Sequence, residues 1–296
     1  MKYYPYICNE EKGKRITIKR NMQFTTRVGI EKPPFMIEPH SEMLFVGSCF
    51  ADNIGQRFAD NCFRVVKNPY GVMYNPVSIL HSVERWQQGE PGTDGARRGN
   101  NPDIAFLTLG TNHVYRLKET GEIVDNCQKR PQRLFNEEVL SIAECTEALQ
   151  KAVDVLQRGN PPVKVVVTVS PIRYAKYGFH GSQLSKATLL LAADMLARDN
   201  DNVYYFPAYE IVNDELRDYR FYAPDMLHPS TQAVDYIWER LQEVFLSEAS
   251  MQFIAEWQPI REALSHRPFN PESPQYKEFL EKTNQRLALF QEKYGL

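Results

Sequence analysis

The sequence predicts an α/β protein built on a parallel sheet with helices on both faces. Three observations support this. Short, largely apolar runs (residues 43–46, 104–109 and 163–169) are too brief for helices and lack the alternation of a half-exposed strand, so they suit strands covered on both sides. Longer stretches with helical spacing separate them. A strand, helix, strand order in turn requires crossovers that place helices on both faces of a parallel sheet. Ligands of such sheets bind beyond the carboxyl ends of the strands. The segments after Val46, Lys67, Leu109 and Val169 are therefore expected to converge on one site.

Residues 1–21 read as an extension outside the core fold, and Met22 opens a more strand-like passage. The proline-rich stretch from Glu31 to His40 is an extended lead-in to the strand at Met43. That strand ends at Gly47-Ser48-Cys49, and Asp52 to Ala59 follows with helical spacing through Ile54 and Phe58. Paired valines in Phe63 to Lys67 form a second short strand. Asn75 is placed as an N-cap with Pro76 at the first helical position, before a stripe of Ile79, Leu80, Val83 and Trp86. Glu90 to Pro102 is polar and aperiodic, a surface loop or flap. After the strand at Ile104 to Leu109, residues 114–135 read as a hairpin excursion around Gly121.

Ser141 and Glu144 predict a capping box for a helix with Cys145, Ala148, Leu149, Ala152, Val153 and Leu156 on one face. Val163 to Val169 is the strongest strand, and an aromatic loop containing glycine follows it. Ser185 is expected to cap a helix through Leu189 and Leu196, and Val203 to Phe206 makes a fifth strand. A helix with Val234, Ile237, Trp238, Leu241 and Phe245 on its buried side completes a domain of residues 22–246. Residues 247–296 read as a helical extension, packed on the domain or at an interface.

Composition narrows the function classes. A hydrophobic fraction of 43%, a charged fraction of 24% and a net charge of -2 give no electrostatic case for nucleic acid or an anionic membrane. Cys8, Cys49, Cys62, Cys127 and Cys145 are odd in number and lack C-x-x-C spacing, which suggests neither a disulfide framework nor a zinc site. No metal and no cofactor are expected. With no leader-like apolar segment and no run of roughly 18 apolar residues, a cytoplasmic location is expected.

A serine hydroxyl needs a base to take its proton and donors to hold the oxyanion formed at a substrate carbonyl. Ser48, at a strand-to-helix turn, is the candidate nucleophile. In Asp225-x-x-His228 the carboxylate can reach one imidazole nitrogen while the other faces a serine, which assigns Asp225 to orient and His228 to shuttle the proton. Backbone N–H groups at Ser48 and Gly71, with the Asn112 side chain, are candidate oxyanion donors. Tyr74, His113 and Arg173 are candidate substrate contacts. Each has a bland counterpart. Gly-Ser after a strand is common in itself, His228 can simply cap a helix or pack against Trp238, Gly71 and Asn112 can simply make turns, and Cys49 is either a thiolate at a helix N-terminus or a small buried hydrophobe.

Taken jointly, Gly47-Ser48-Cys49-Phe50-Ala51, the segment from Asn68 to Pro76, Leu109-Gly110-Thr111, the segment from Val169 to Arg173, Ser185-Lys186 and the segment from Asp225 to Pro229 resemble the GSCFA family, a branch of the SGNH (GDSL-like) hydrolase superfamily. The resemblance implies a three-layer α/β/α sandwich around a five-stranded parallel sheet. It also implies Ser48, Asp225 and His228 as the triad and Gly71 and Asn112 as oxyanion positions. Two departures stand out: Gly47 replaces the acidic residue that precedes the serine in the Gly-Asp-Ser-Leu form, and His113 stands where the third block has Asp. Many members of the branch carry Ala-Trp in place of Asn112-His113. The expected activity is hydrolysis of a carboxylic ester, on an O-acylated carbohydrate or another small polar ester. A non-catalytic binding module and an acyltransferase are the alternatives.

Overall fold

The computed structural model describes residues 25–93, 101–127, 130–158 and 161–296. The extension at residues 1–21, Met22 itself and most of the loop after Glu90 lie outside the described residues. Ile37 makes an isolated bridge to Leu246, and the first strand among the described residues is β1 (Glu42–Gly47). It is followed by α1 (Cys49–Asp60), β2 (Arg64–Lys67), α2 (Pro76–Gln87) and β3 (Ile104–Leu109). An antiparallel excursion of β4 (His113–Leu117), β5 (Ile123–Val124) and β6 (Phe135–Val139) then forms its own three-stranded sheet in the order β5-β4-β6. The expected hairpin turns at Gly121, and β6 adds to it as a third strand.

The chain continues through α3 (Ile142–Leu156), β7 (Lys164–Val169), α4 (Gly178–Asp199) and β8 (Val203–Tyr205). A short α5 (Ala208–Glu210) runs into a π-helical turn at residues 211–216. Helices α6 (Thr231–Phe245), α7 (Glu248–Ser265) and α8 (Pro274–Tyr294) close the chain. The main sheet has the order β2-β1-β3-β7-β8, and every pairing in it is parallel.

Alternate side chains of the central strands enter two separate cores, which explains why those strands read as largely apolar runs. Leu44, Val46, Ala105, Leu107, Val165 and Val167 face a core shared with α2, α3 and α4. Phe45, Phe106 and Val166 face the other, with α1 and α6. On that side Phe45 and Phe106, register partners on β1 and β3, stack with centroids 4.4 Å apart. The edge of Phe58 from α1 meets Trp238 from α6 at 4.6 Å. Sheet and helices thus form a three-layer α/β/α sandwich.

The last two helices lie against the α1 side. Phe253 is fully buried with its ring 5.3 Å from that of Phe63, and Trp257 Nε1 donates to the carbonyl of Asp60 at the end of α1. Phe290 of α8 packs on both Phe253 and Trp257. Among the described residues no helix is long and apolar enough to cross a membrane.

Sequence and structure part at α4. Ser185 does not cap it; the helix starts seven residues earlier, and Ser185 lies buried inside it. Its hydroxyl is 3.0 Å from Thr111 Oγ1 and accepts the Asn112 N–H at 3.0 Å, so it ties the helix to the loop after β3. By contrast Asn75, Ser141 and Ser230 all cap as their helices require, and Ser141 with Glu144 completes the capping box.

The tightest backbone constraint is at Gly47. Its φ of +144° is a region side chains rarely adopt, and a Cβ there would lie 2.1 Å from the Thr108 carbonyl oxygen. Gly47→Ala is therefore expected to cost roughly 3 kcal/mol or more of stability through overpacking and strain. Urea unfolding of the variant measures this; a loss under about 0.5 kcal/mol would mean the elbow relaxes freely.

Candidate active site

The strand ends are knitted together around Gly47 and Ser48. The Gly47 N–H donates to Asn68 Oδ1 (2.9 Å), the Met73 N–H to the Gly47 carbonyl (2.8 Å) and the Ser48 N–H to the Thr108 carbonyl (3.1 Å). The loop after β2 is tied to the loop after β3 by the Gly110 and Thr111 N–H groups, which both donate to the Tyr74 carbonyl. Ser48 itself is fully buried. It is the N-cap of α1, and its Oγ accepts the Phe50 N–H at 3.3 Å and lies 3.4 Å from Thr108 Oγ1. The cap places the oxygen where backbone donors and the positive end of the helix favour negative charge.

Asp225 and His228 share a tight turn in which the Ala223 N–H donates to the His228 carbonyl and the Met226 N–H to that of Ala223. Asp225 Oδ1 accepts the N–H groups of Leu227 (2.9 Å) and His228 (3.0 Å), which leaves Oδ2 to meet His228 Nδ1 at 2.6 Å. The two backbone donors, with the imidazole, hold the carboxyl at about 2. With Nδ1 committed to the carboxylate, Nε2 is the nitrogen free for other work. Among the described residues no hydrogen bond joins it to Ser48 Oγ, whose partners are Phe50 and Thr108.

Arg173, after β7, latches this turn in place. Its N–H donates to the Leu227 carbonyl and its Nη1 to that of Met226, each at 3.0 Å, while Phe179 covers the guanidinium at 4.1 Å.

The three candidate oxyanion donors each have an acceptor in this structure. Ser48 N–H is on Thr108, Gly71 N–H closes a turn onto the Asn68 carbonyl (2.9 Å), and Asn112 Nδ2 donates to the Leu140 carbonyl (2.7 Å). Asn112 is buried, and its Oδ1 has no partner. Gly110 also lies near the serine: a Cβ there would sit 3.4 Å from Ser48 Cβ, 2.8 Å from the Tyr74 carbonyl and 2.4 Å from the Tyr174 hydroxyl.

Tyr74 is part exposed, with its hydroxyl 3.9 Å from Cys49 Sγ and its ring edge-on to Tyr174 at 6.4 Å. Burial first, then the neighbouring Cys49, pushes the Tyr74 phenol up to about 12. His113 lies further out, on β4. It stacks on Tyr177 at 3.5 Å with Nδ1 3.5 Å from Glu137, and burial lowers its pKa. Tyr177 in turn stacks on Tyr174, so an aromatic row runs from Tyr74 through Tyr174 and Tyr177 to His113.

Sequence reasoning assigned no role to Lys186. Its side chain is wholly buried on α4, and Nζ donates to the carbonyls of Gly110 (2.6 Å) and Ser170 (2.7 Å), the first residues beyond β3 and β7. The signal was available: Lys186 falls on the stripe of Ser182, Leu189, Ala193 and Leu196, a lysine on the buried face of a helix. Among the described residues no group of His, Cys, Asp or Glu is arranged to hold a metal ion.

Fold and site together define an α/β/α sandwich protein with a serine elbow and an Asp-His turn beyond the carboxyl ends of a parallel sheet. Family profiles match residues 42–97 and 95–241 as the GSCFA family and residues 257–295 as GSCFA domain protein, C-terminal domain. The chain belongs to the GSCFA family. Similar solved structures include a putative platelet activating factor from Streptococcus pneumonia, 18% identical with a TM-score of 0.45 over 70% of this chain and 84% of that one. Another is a member of the lipolytic protein G-D-S-L family from Veillonella parvula, 15% identical with a TM-score of 0.44 over 69% and 97%. A third is a catalytic mutant of an acetylxylan esterase from Geobacillus stearothermophilus, 15% identical with a TM-score of 0.43 over 72% and 98%. A comparison with curated proteins returns no significant match.

Burial pulls the Lys186 ammonium down to about 7, against the two carbonyls that favour its charged form. The unfolded chain holds that proton to about pH 10.4. Between these values the unfolded state binds more protons, so Lys186 makes stability rise with pH. The stability of the wild type relative to Lys186→Met is expected to increase from pH 7 to 9.5, by no more than about 1.4 kcal/mol per pH unit. Urea unfolding at both pH values reads it, and a flat difference would show that the carbonyls keep the ammonium charged.

Proposed function

We propose that this protein is a serine esterase that transfers the acyl group of a carboxylic ester first to Ser48 and then to water. The substrate is an O-acylated carbohydrate or another small polar ester. The observation that carries this reading is the Asp225–His228 pair: a carboxylate fixed by two backbone N–H groups holds imidazole Nδ1 at 2.6 Å and leaves Nε2 as a base. Its turn is latched to Arg173, beyond the same sheet edge as Ser48.

In this mechanism Ser48 Oγ leaves its cap bond, gives its proton to Nε2 and bonds the substrate carbonyl carbon. The tetrahedral intermediate collapses as Nε2–H protonates the leaving alkoxide. Water then attacks the acyl-serine, its proton passing to Nε2, and Ser48 is restored with release of the acid. Asp225 stays ionised throughout and stabilises the imidazolium. Ser48 N–H, Gly71 N–H and Asn112 Nδ2 are the proposed oxyanion donors. The first two exchange their backbone acceptors for the oxyanion, whereas Asn112 keeps a second N–H beyond the one on Leu140. Tyr74, His113 and Arg173 are proposed as substrate contacts. The alternative of a binding module draws on the full burial of Ser48. Products formed with an added alcohol separate hydrolysis from acyl transfer.

Ser48→Ala is expected to abolish turnover of short acyl esters and labelling by a fluorophosphonate probe; labelling that survives in this variant sinks the assignment. Asp225→Asn keeps an oxygen for the two backbone donors but presents an amide to the imidazole, which then takes the wrong tautomer. A fall in kcat on the order of 10³- to 10⁴-fold is expected. Steady-state kinetics on the same ester measures it, and a loss under tenfold would remove Asp225 from the triad.

A further inference from the structure

Among the described residues, the Tyr174 hydroxyl is buried and has no hydrogen-bond partner. A buried donor left unpaired is costly and rare enough to require a reason. Its position supplies one. The point where a Cβ on Gly110 would stand lies 2.4 Å from this hydroxyl and 3.4 Å from Ser48 Cβ, so the phenol oxygen is at most about 5.8 Å from the serine, across the gap a glycine leaves. The hydroxyl stands where a Gly110 side chain would be, on the serine's side of the loop after β3.

The donor is also held firmly. Tyr174 N–H donates to Ser182 Oγ at 3.2 Å, Tyr74 meets the ring edge-on, Tyr177 stacks on it, and Lys186 Nζ lies 5.1 Å from its centroid. Ser48 N–H and Gly71 N–H have acceptors already, and one of the two Asn112 Nδ2 protons is on Leu140. Tyr174 has none to give up.

We propose that Tyr174 is a further catalytic residue, whose hydroxyl donates a hydrogen bond to the oxyanion that forms when Ser48 attacks the ester carbonyl. The inference rests on the serine esterase reading above. The bond Ser48 Oγ makes to the carbonyl carbon pushes the carbonyl π electrons onto oxygen. Tyr174 O–H binds that oxygen without giving up its proton, and the same electrons return when the leaving group departs, so the tyrosine is unchanged. Burial, reinforced by Tyr74, Cys49 and Tyr177, raises the phenol's pKa and keeps the proton in place. A donor preorganised in a site closed to water is worth most where charge appears only in the transition state.

Tyr174→Phe keeps the ring and its stack and removes only the hydroxyl. It is expected to lower kcat for short acyl esters about 100- to 1000-fold with little change in KM. The melting temperature stays equal or rises, because the variant loses an unsatisfied buried group. Tyr177→Phe, the next ring in the row, is expected to keep kcat within about twofold. A Tyr174→Phe enzyme with kcat within threefold of wild type overturns the proposal, as does a fall in kcat matched by a fall in melting temperature and reproduced by Tyr177→Phe. If the wild type shows no turnover or probe labelling that depends on Ser48, the esterase reading fails and takes this proposal with it. Ser48-dependent turnover with an unaffected Tyr174→Phe removes the tyrosine alone.

Discussion

The approach of β1 to β3 at Gly47 and Thr108 is the contact on which the rest of the site depends. Without a side chain on Gly47, the strand end comes close enough for the Ser48 N–H to bond the Thr108 carbonyl, and this fixes where α1 begins. Once α1 begins there, Ser48 is its cap and faces Thr108 Oγ1. The Asn68 side chain then closes the elbow by accepting the Gly47 N–H while its amide donates to Asp52 in the first turn of α1. A second clamp works from below: Lys186 draws the carbonyls of Gly110 and Ser170 onto one ammonium, so the exits of β3 and β7 are held at a fixed separation.

Two opposite electrostatic strategies meet at this edge of the sheet. Asp225 is exposed and kept ionised by backbone donors, an arrangement that tolerates water because the donors lie in its own turn. Lys186 is dry, without a carboxylate among the described residues, and its charge is opposed by burial. The phenols of Tyr74 and Tyr174, pushed up by burial, stay neutral between them. Proton transfer in the proposed mechanism runs between Ser48, His228 and the reactants.

Much of the fold was legible because its signals are local. Strands covered on both faces need largely apolar runs, and β1, β3 and β7 have them; Asn75 and Ser141 satisfy the first turns of their own helices. Ser185 was misread because its hydroxyl serves a loop some 73 positions away, and no local pattern separates that use from a cap. The candidate site was legible in its residue types, Ser48 with Asp225 and His228, but not in the engagement of its donors. That Asn112 turns to Leu140, and that Gly110 comes close to the serine, are contacts between residues distant in sequence, 28 positions apart in the first case. Lys186 lies on the apolar stripe of α4, but the carbonyls it meets belong to the ends of β3 and β7, which the helix's own spacing does not show.

The packing of α7 and α8 over α1 sets an order on synthesis. The bond from Trp257 to the Asp60 carbonyl spans 197 positions, and Phe63 meets Phe253 across a similar distance. A growing chain that has already made β1, α1 and β3 therefore carries an aromatic surface, Phe63 included, whose cover emerges from the ribosome only much later. Contacts this distant in sequence form slowly, and partly covered intermediates are prone to associate. The helix that bears Ser48 is thus among the first segments made and among the last to be sealed, and cellular yield of this protein will track how well that waiting surface is shielded.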